Sequence, residues 1–161
     1  MSDLVNRKSV VKVKNFLNSY NKNIKLIVLD ESARTATDAA NSLKTKVGSI
    51  VKSLLFKDSE KKFHVCLVSG DKYASIKKIS DLINLPIKKA NADECKEFTG
   101  FSIGGVSPIA HDNTPSSILI DINLSRYEKV YAAAGHPFVV FGVSYSTLCD
   151  LTKGVENNIT E

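Results

Sequence analysis

Residues 49–69, SIVKSLLFKDSEKKFHVCLVS, hold two apolar, β-rich runs at 49–56 and 63–69. Each reads as a strand, and Gly70-Asp71 supplies the turn that follows. In the first run Ile50, Lys52, Leu54 and Phe56 alternate onto one face, with Val51, Ser53 and Leu55 on the other. Both faces are largely apolar, the pattern of a strand covered on two sides. A lysine there must pair, snorkel to the rim or line a pocket. A pocket lysine is a natural phosphate anchor. A lysine snorkelling from a strand end is the plain alternative, and spacing alone does not separate the two.

Upstream, Ser9 can cap a helix carrying Val10, Val13, Leu17 and Tyr20 on neighbouring turns. A short strand follows at 24–29. Thr35-Ala36-Thr37-Asp38 fits a capping box, and Ala36, Ala39, Ala40 and Leu43 make a narrow apolar stripe. Its small residues let that helix lie close to whatever it covers. Downstream, Ile76, Ile79, Leu82 and Ile83 form a second helical stripe, and a short helix at 93–98 ends at Gly100. Residues 100–115 read as a loop, 118–122, 130–133 and 138–143 as late strands, and 146–152 as a last helix. The first eight and last eight residues read as frayed ends. Strands and helices intermix without a βαβ rhythm, which predicts an α+β class with a mixed sheet. No linker divides the chain, so one domain over 1–161 is expected, with its core at about 9–152.

The 161 residues are 43% hydrophobic and 24% charged, which excludes a disordered chain. No run of about 18 apolar residues exists to cross a membrane. Residues 1–14 carry five charged side chains and no apolar h-region, so no secretory signal is expected. Twenty-two Lys and Arg against 17 Asp and Glu give a net charge of +5. That excess fits a polyanion such as RNA, although many soluble proteins of this size carry as much. Cys66, Cys95 and Cys149 are far apart and form no C-x-x-C, as for reduced thiols in a cytoplasmic protein. His64 and Cys66 share a strand face but lack a second pair of ligands, so neither metal nor other cofactor is expected.

Gly100-Phe101-Ser102-Ile103-Gly104 matches the G-x-S-x-G pattern, and Asp121 and His136 follow in the order of a hydrolase triad. That elbow needs a strand before its serine and a helix after it. Here 93–98 is polar and helix-like, while Gly105 and Pro108 oppose a following helix. Gly104-Gly105-Val106-Ser107-Pro108 permits close backbone approach, and its N–H groups can cradle an anion or oxyanion. A tight turn is the bland reading. No Walker lysine follows, so this is not a nucleotide P-loop. His111, just beyond, stands where it can orient the loop. In Ala132-Ala133-Ala134-Gly135-His136-Pro137, small residues end a strand and leave room beside it.

Together and in order, these pieces resemble the YbaK/ProX family, which includes the editing domain inserted in bacterial prolyl-tRNA synthetases. The match is carried by Arg34-Thr35-Ala36 with Ala39-Ala40, by residues 50–56, and by Val68-Ser69-Gly70-Asp71. It continues through residues 99–108, Ile120-Asp121 and residues 132–137. The resemblance implies a barrel-like mixed sheet surrounded by helices and a hydrolase that deacylates mischarged aminoacyl-tRNA, chiefly tRNA-Pro carrying the wrong amino acid. Lys52 matches the family's lysine, assigned to the terminal adenosine's phosphate. Gly104, Gly105 and Pro108 match its glycine-proline loop, whose amides hold the ester carbonyl and the attacking water. The family uses no serine nucleophile. Ala110 stands where many members have glycine before the histidine, and Thr37 where an acidic residue is frequent.

The expectation is thus a free-standing deacylase acting in trans on a small non-cognate aminoacyl group, with no cofactor. Lys52, Gly104, Gly105 and Pro108 are its candidate catalytic residues. Thr35, Ala36, Ala39, Ala40, Ile50 and Leu54 are candidates for the acyl wall. Ser69, Gly70, Asp71, Val106, Ser107, His111, Gly135 and His136 complete the candidate substrate-binding set. No general base is visible, and the resemblance implies help from the substrate's ribose hydroxyl. The partner is the acceptor end of tRNA, with prolyl-tRNA synthetase as a candidate protein partner. The alternatives are a non-catalytic relative that binds tRNA or a synthetase, and a serine esterase using Ser102, Asp121 and His136.

Overall fold

A computed structural model describes residues 2–30 and 35–161; Arg34 of the family motif lies outside the described residues. The two central runs form an antiparallel hairpin, β2 (Ile50–Asp58) and β3 (Phe63–Ser69), with Lys52 opposite Val68. The other strands are β1 (Leu26–Val28), β4 (Ile87–Lys89), β5 (Ser117–Asp121), β6 (Lys129–His136), β7 (Val139–Ser144) and β8 (Val155–Asn157). They join in the order β1-β7-β6-β2-β3-β5-β8, with β4 beside β2. The β2/β6, β3/β5 and β5/β8 pairs are parallel and the others antiparallel, so the sheet is mixed, as expected. The helices are α1 (Lys8–Tyr20), α2 (Ala36–Leu43), α3 (Ile76–Ile83), α4 (Ala92–Thr99) and α5 (Tyr145–Thr152).

Period-2 alternation sorts the core between the two faces of the sheet. Val51, Leu55, Val65, Leu67 and Ile120 join Val10, Val13 and Leu17 of α1 in the larger cluster. Phe56, Cys66, Val68 and Leu119 turn the other way and meet Ile79 of α3. Ala39 and Ala40 bring α2 down onto Ile50. Burying each large side chain contributes about 1.5–3 kcal/mol.

Three expectations fail locally. Ser9 does not cap α1: Arg7 holds that position without a side-chain bond, and Ser9 Oγ donates instead to Gly135 O at 2.8 Å. A long-range acceptor outcompetes the local one. The first residues are not frayed, because 2–6 form a 3-10 turn and Leu4 packs on the core. Nor is the C-terminus, where β8 pairs with β5, Ile159 is fully buried and Thr160 bridges to Ala74. Two apolar residues, Val155 and Ile159, among polar ones gave no periodic signal there.

His64 is engaged structurally. Its Nε2 lies 2.8 Å from Asp58 Oδ2 and its Nδ1 2.7 Å from Ser117 Oγ, with both His64 and Asp58 buried. Asp58 Oδ1 also accepts the backbone N–H groups of Glu60 and Lys62, closing the hairpin turn. The His64 hydrogen bond, with those amides, holds the Asp58 carboxyl below the usual carboxylate range despite burial. A depressed folded pKa adds stability above the unfolded value of ~3.9, and that stability is lost as pH falls through the folded value. Denaturant midpoints therefore fall between about pH 5 and pH 2, less steeply in Asp58→Asn than in wild type. Parallel falls in both proteins would remove Asp58 from the account.

Candidate active site

One edge of β2 is shared between two partners. Ile50 and Val51 pair with β6, while Phe56, Lys57 and Asp58 pair with β4. Between them, residues 52–55 have no strand partner on that edge. A cavity of about 400 Å³ opens in this gap, lined by Lys52, Ser53, Leu54 and Leu55 from β2. Lys89 and Ala90 wall it on one side and Ala132 and Ala133 on the other. The small residues of β6 do leave room beside the strand. From α2 come Thr35, Ala36 and Ala39, and Gly70 with Tyr73 come from the turn after β3. Ile103, Gly104 and Val106 reach it from the long loop.

Helix α2 takes this place because Thr35 caps it, its side chain accepting the Asp38 N–H at 3.1 Å. Its alanine face then packs within reach of Ile50. Lys52, half-buried, donates through Nζ to the Lys72 carbonyl and lies 5.1 Å from the Tyr73 ring centre. Burial pulls its pKa down, the charges of Asp71 and Asp121 oppose that, and Lys89 reinforces it. Tyr73 stands 75% exposed at the cavity mouth. The hydroxyl of Ser53 is buried without a hydrogen-bond partner. Cys95 also lines the cavity, and burial raises its thiol pKa, the reverse of an activated nucleophile.

The turn carrying Lys72 and Tyr73 is clamped. Arg126 donates twice to Asp71, at 2.7 and 3.2 Å, and once to Ser69 Oγ at 2.9 Å. Ser69 N–H donates to Asp121 Oδ2 at 2.9 Å. Ser69 and Asp71 thus lie outside the cavity lining and hold the turn that carries the acceptor of Lys52. Arg126 was missed in the sequence. It ends a 3-10 turn at 122–126 that no periodicity announced, and its partner is 55 residues away. Tyr73 and Lys89 were missed too, although Tyr73 falls two residues beyond the Gly70-Asp71 turn.

Of the candidate residues, Thr35, Ala36, Ala39, Ile50, Lys52, Leu54, Gly70, Gly104 and Val106 meet around this cavity. Ala40, on α2, is buried in the cluster with Ala39 and Ile50, outside the lining. Ser107 and Pro108 are buried within the loop, outside the lining. His111 braces that loop: its Nε2 donates to Ser107 O at 2.7 Å, its ring meets Phe101 edge-on, and burial lowers its pKa. Gly105, Gly135 and His136 face a separate hollow. Ser102 is exposed there, but the triad is not assembled. His136 Nδ1 accepts the Phe138 N–H at 3.0 Å, where a triad histidine must donate to its carboxylate. Asp121 is taken by Ser69 and Asn123. Among the described residues no three His, Cys, Asp or Glu gather as for a metal ion. No described helix is long and apolar enough to cross a membrane.

Ala110, which replaces the family's frequent glycine, adopts φ 61°. Such a conformation costs an L-residue about 1–2 kcal/mol, part of which glycine would return as chain entropy. Ala110→Gly is expected to raise Tm by roughly 1–4 °C in a thermal melt. A lower Tm would mean the loop carries no strain at this position.

The family model for the aminoacyl-tRNA editing domain matches residues 30–151. A crystal structure described as a proposed trans-editing enzyme for prolyl tRNA synthetase superposes with a TM-score of 0.89 at 34% identity, covering 96% of this chain and 98% of that one. The uncharacterized protein YwhH of Bacillus subtilis is 26% identical over 79% of this chain and 80% of its own length. The proline–tRNA ligase of Lactobacillus johnsonii is 38% identical over 62% of this chain, which spans only 18% of the ligase. A match across three quarters of the sequence, on a shared mixed α+β fold, means that the chain belongs to the aminoacyl-tRNA editing domain (YbaK) family.

Proposed function

We propose that the protein is a trans-acting hydrolase that deacylates mischarged aminoacyl-tRNA, tRNA-Pro carrying a small non-cognate amino acid being the expected substrate. The observation that carries this reading is the cavity in the β2 edge, with both Lys52 and Gly104 in its lining. Its volume and its wall of Ala36, Ala39, Ile50 and Leu54 suit a small aminoacyl group. Such a wall discriminates by only ~1–3 kcal/mol per methylene, so size sets an upper limit on the substrate.

In the mechanism we infer, Lys52 holds the terminal nucleotide's phosphate by a charge-assisted contact. The Gly104 amide stabilises the oxyanion as water attacks the ester carbonyl, an effect of about 10²–10³ in rate per donor, while the Gly105 N–H is held by Ser102 O at 3.0 Å and tightens the turn. Pro108 and His111 keep the loop in shape. The ester bond breaks to a free carboxylate and the ribose hydroxyl, which regains its proton. Among the described residues no side chain in the cavity is placed as a general base, and the substrate's neighbouring ribose hydroxyl takes that role.

The test is ester loss from a panel of mischarged tRNA-Pro species, Ala- and Cys-charged included, at catalytic enzyme concentration. Turnover of at least one small aminoacyl group is expected, with no inhibition by a serine-directed phosphonate. Binding without turnover across the panel would make the protein a silent tRNA binder. Stoichiometric labelling of Ser102 with loss of turnover would reinstate the serine esterase.

A further inference from the structure

The second hollow, about 600 Å³, lies across the Gly104-Gly105 loop from the first: Gly104 lines one and Gly105 the other. The partition is thin by necessity. A methyl group on Gly105 would stand 2.9 Å from both Cα and N of His136. Among the described residues, the hollow is lined by two cationic side chains, Arg7 and Lys96, and by no acidic one. Lys96 is anchored at the end of α4, where Nζ donates to Gly100 O at 3.1 Å. Arg7 immediately precedes α1, which Ser9 pins to Gly135 at 2.8 Å. Both charges therefore sit on fixed backbone.

Neutral donors join them. His136 Nδ1 accepts the Phe138 N–H, so its proton rests on Nε2. Burial, and then the charge of Arg7, lower its pKa and keep the ring a neutral N–H donor. The Ser102 hydroxyl is exposed at the same hollow. Two cations with hydroxyl and imidazole donors, and no carboxylate among the described residues, make a phosphate site, with Arg7 able to bind in bidentate fashion. Its position one loop away from the acyl cavity says which phosphate. A substrate whose ester lies at Gly104 must lead its chain out past that loop.

We propose that this hollow seats a backbone phosphate of the single-stranded 3′ end of the RNA whose aminoacyl group enters the first cavity, held by Arg7 and Lys96. The proposal rests on the deacylase reading for the choice of RNA, and its test needs no turnover. The probe is an uncharged, labelled RNA hairpin with a single-stranded 3′ overhang, its affinity followed by fluorescence anisotropy across a salt series. Losing the one neutralised phosphate makes the slope of log affinity against log salt shallower by about 0.7 in Arg7→Ala/Lys96→Ala, the value per phosphate on a single strand.

Arg7→Lys/Lys96→Arg should keep the wild-type slope. Lys62→Ala/Lys77→Ala, which removes as much charge elsewhere, should keep it too. Lys96→Glu, which leaves α1 untouched, should weaken binding more than Lys96→Ala, and a blunt hairpin should not tell the variants from wild type. An unchanged slope in Arg7→Ala/Lys96→Ala overturns the proposal. So does an equal drop in the Lys62/Lys77 control or on the blunt hairpin, or no binding by wild type. Ester loss is assayed separately, so a protein that binds through Arg7 and Lys96 without deacylating anything fails only the enzymatic reading.

Discussion

On the deacylase reading, Lys52→Ala is expected to lower kcat/KM for the mischarged tRNA by about 10- to 150-fold. That range is the 1.5–3 kcal/mol of a hydrogen bond to a charged group, read as lost transition-state binding. The loss should fall mainly on KM, because a phosphate is held alike in ground and transition states. Lys52→Met separates charge from packing. It keeps an aliphatic stem of similar length on β2 and removes the ammonium, so it should lose nearly as much as alanine. Lys52→Arg should recover only part, since a planar fork does not replace a compact point charge that reaches the Lys72 carbonyl. If Lys52→Ala deacylates as fast as wild type, the lysine is a snorkelling strand residue and the phosphate anchor lies elsewhere.

Gly135→Ala should cost at least about 3 kcal/mol of stability and lower Tm by roughly 6–12 °C. Two causes add. Gly135 has φ 92°, a left-handed conformation that an L side chain resists. A methyl group would also stand 2.4 Å from Ser9 O and 2.7 Å from Ser9 C, backbone atoms that cannot swing aside. The start of α1 must then leave β6, breaking the Ser9–Gly135 hydrogen bond and carrying Arg7 away from the second hollow. RNA affinity should fall alongside Tm, at temperatures where the variant is still folded. A Tm loss under about 2 °C would show that α1 yields freely and is not pinned at this strand end.

Much of this was legible locally. Alternation in β2 and β3 predicts strands buried on two faces, because side chains on a pleated backbone must alternate. The Thr35 cap and the alanine stripe predict a close-lying helix, and α2 lies on Ile50. Two adjacent glycines and a proline predict an irregular loop, and residues 100–115 form no regular element. The odd lysine at 52 was visible because a charge on a buried strand needs a reason.

What the sequence by itself determined is therefore the α+β class, most strands and helices, and a short list of residues that chemistry would notice. Each follows from a rule acting within one or two turns of chain. Tertiary structure alone decided where those residues meet. The cavity exists because β6 and β4 share one edge of β2 and leave residues 52–54 open, Leu55 O being taken by the Ala90 N–H, a matter of register between strands distant in sequence. Likewise Arg126 finds Asp71, the C-terminal residues join β5, and Gly104 and Gly105 face different hollows. Such pairings depend on which edges and surfaces remain unsatisfied once the rest of the chain has packed, and no local periodicity carries that information.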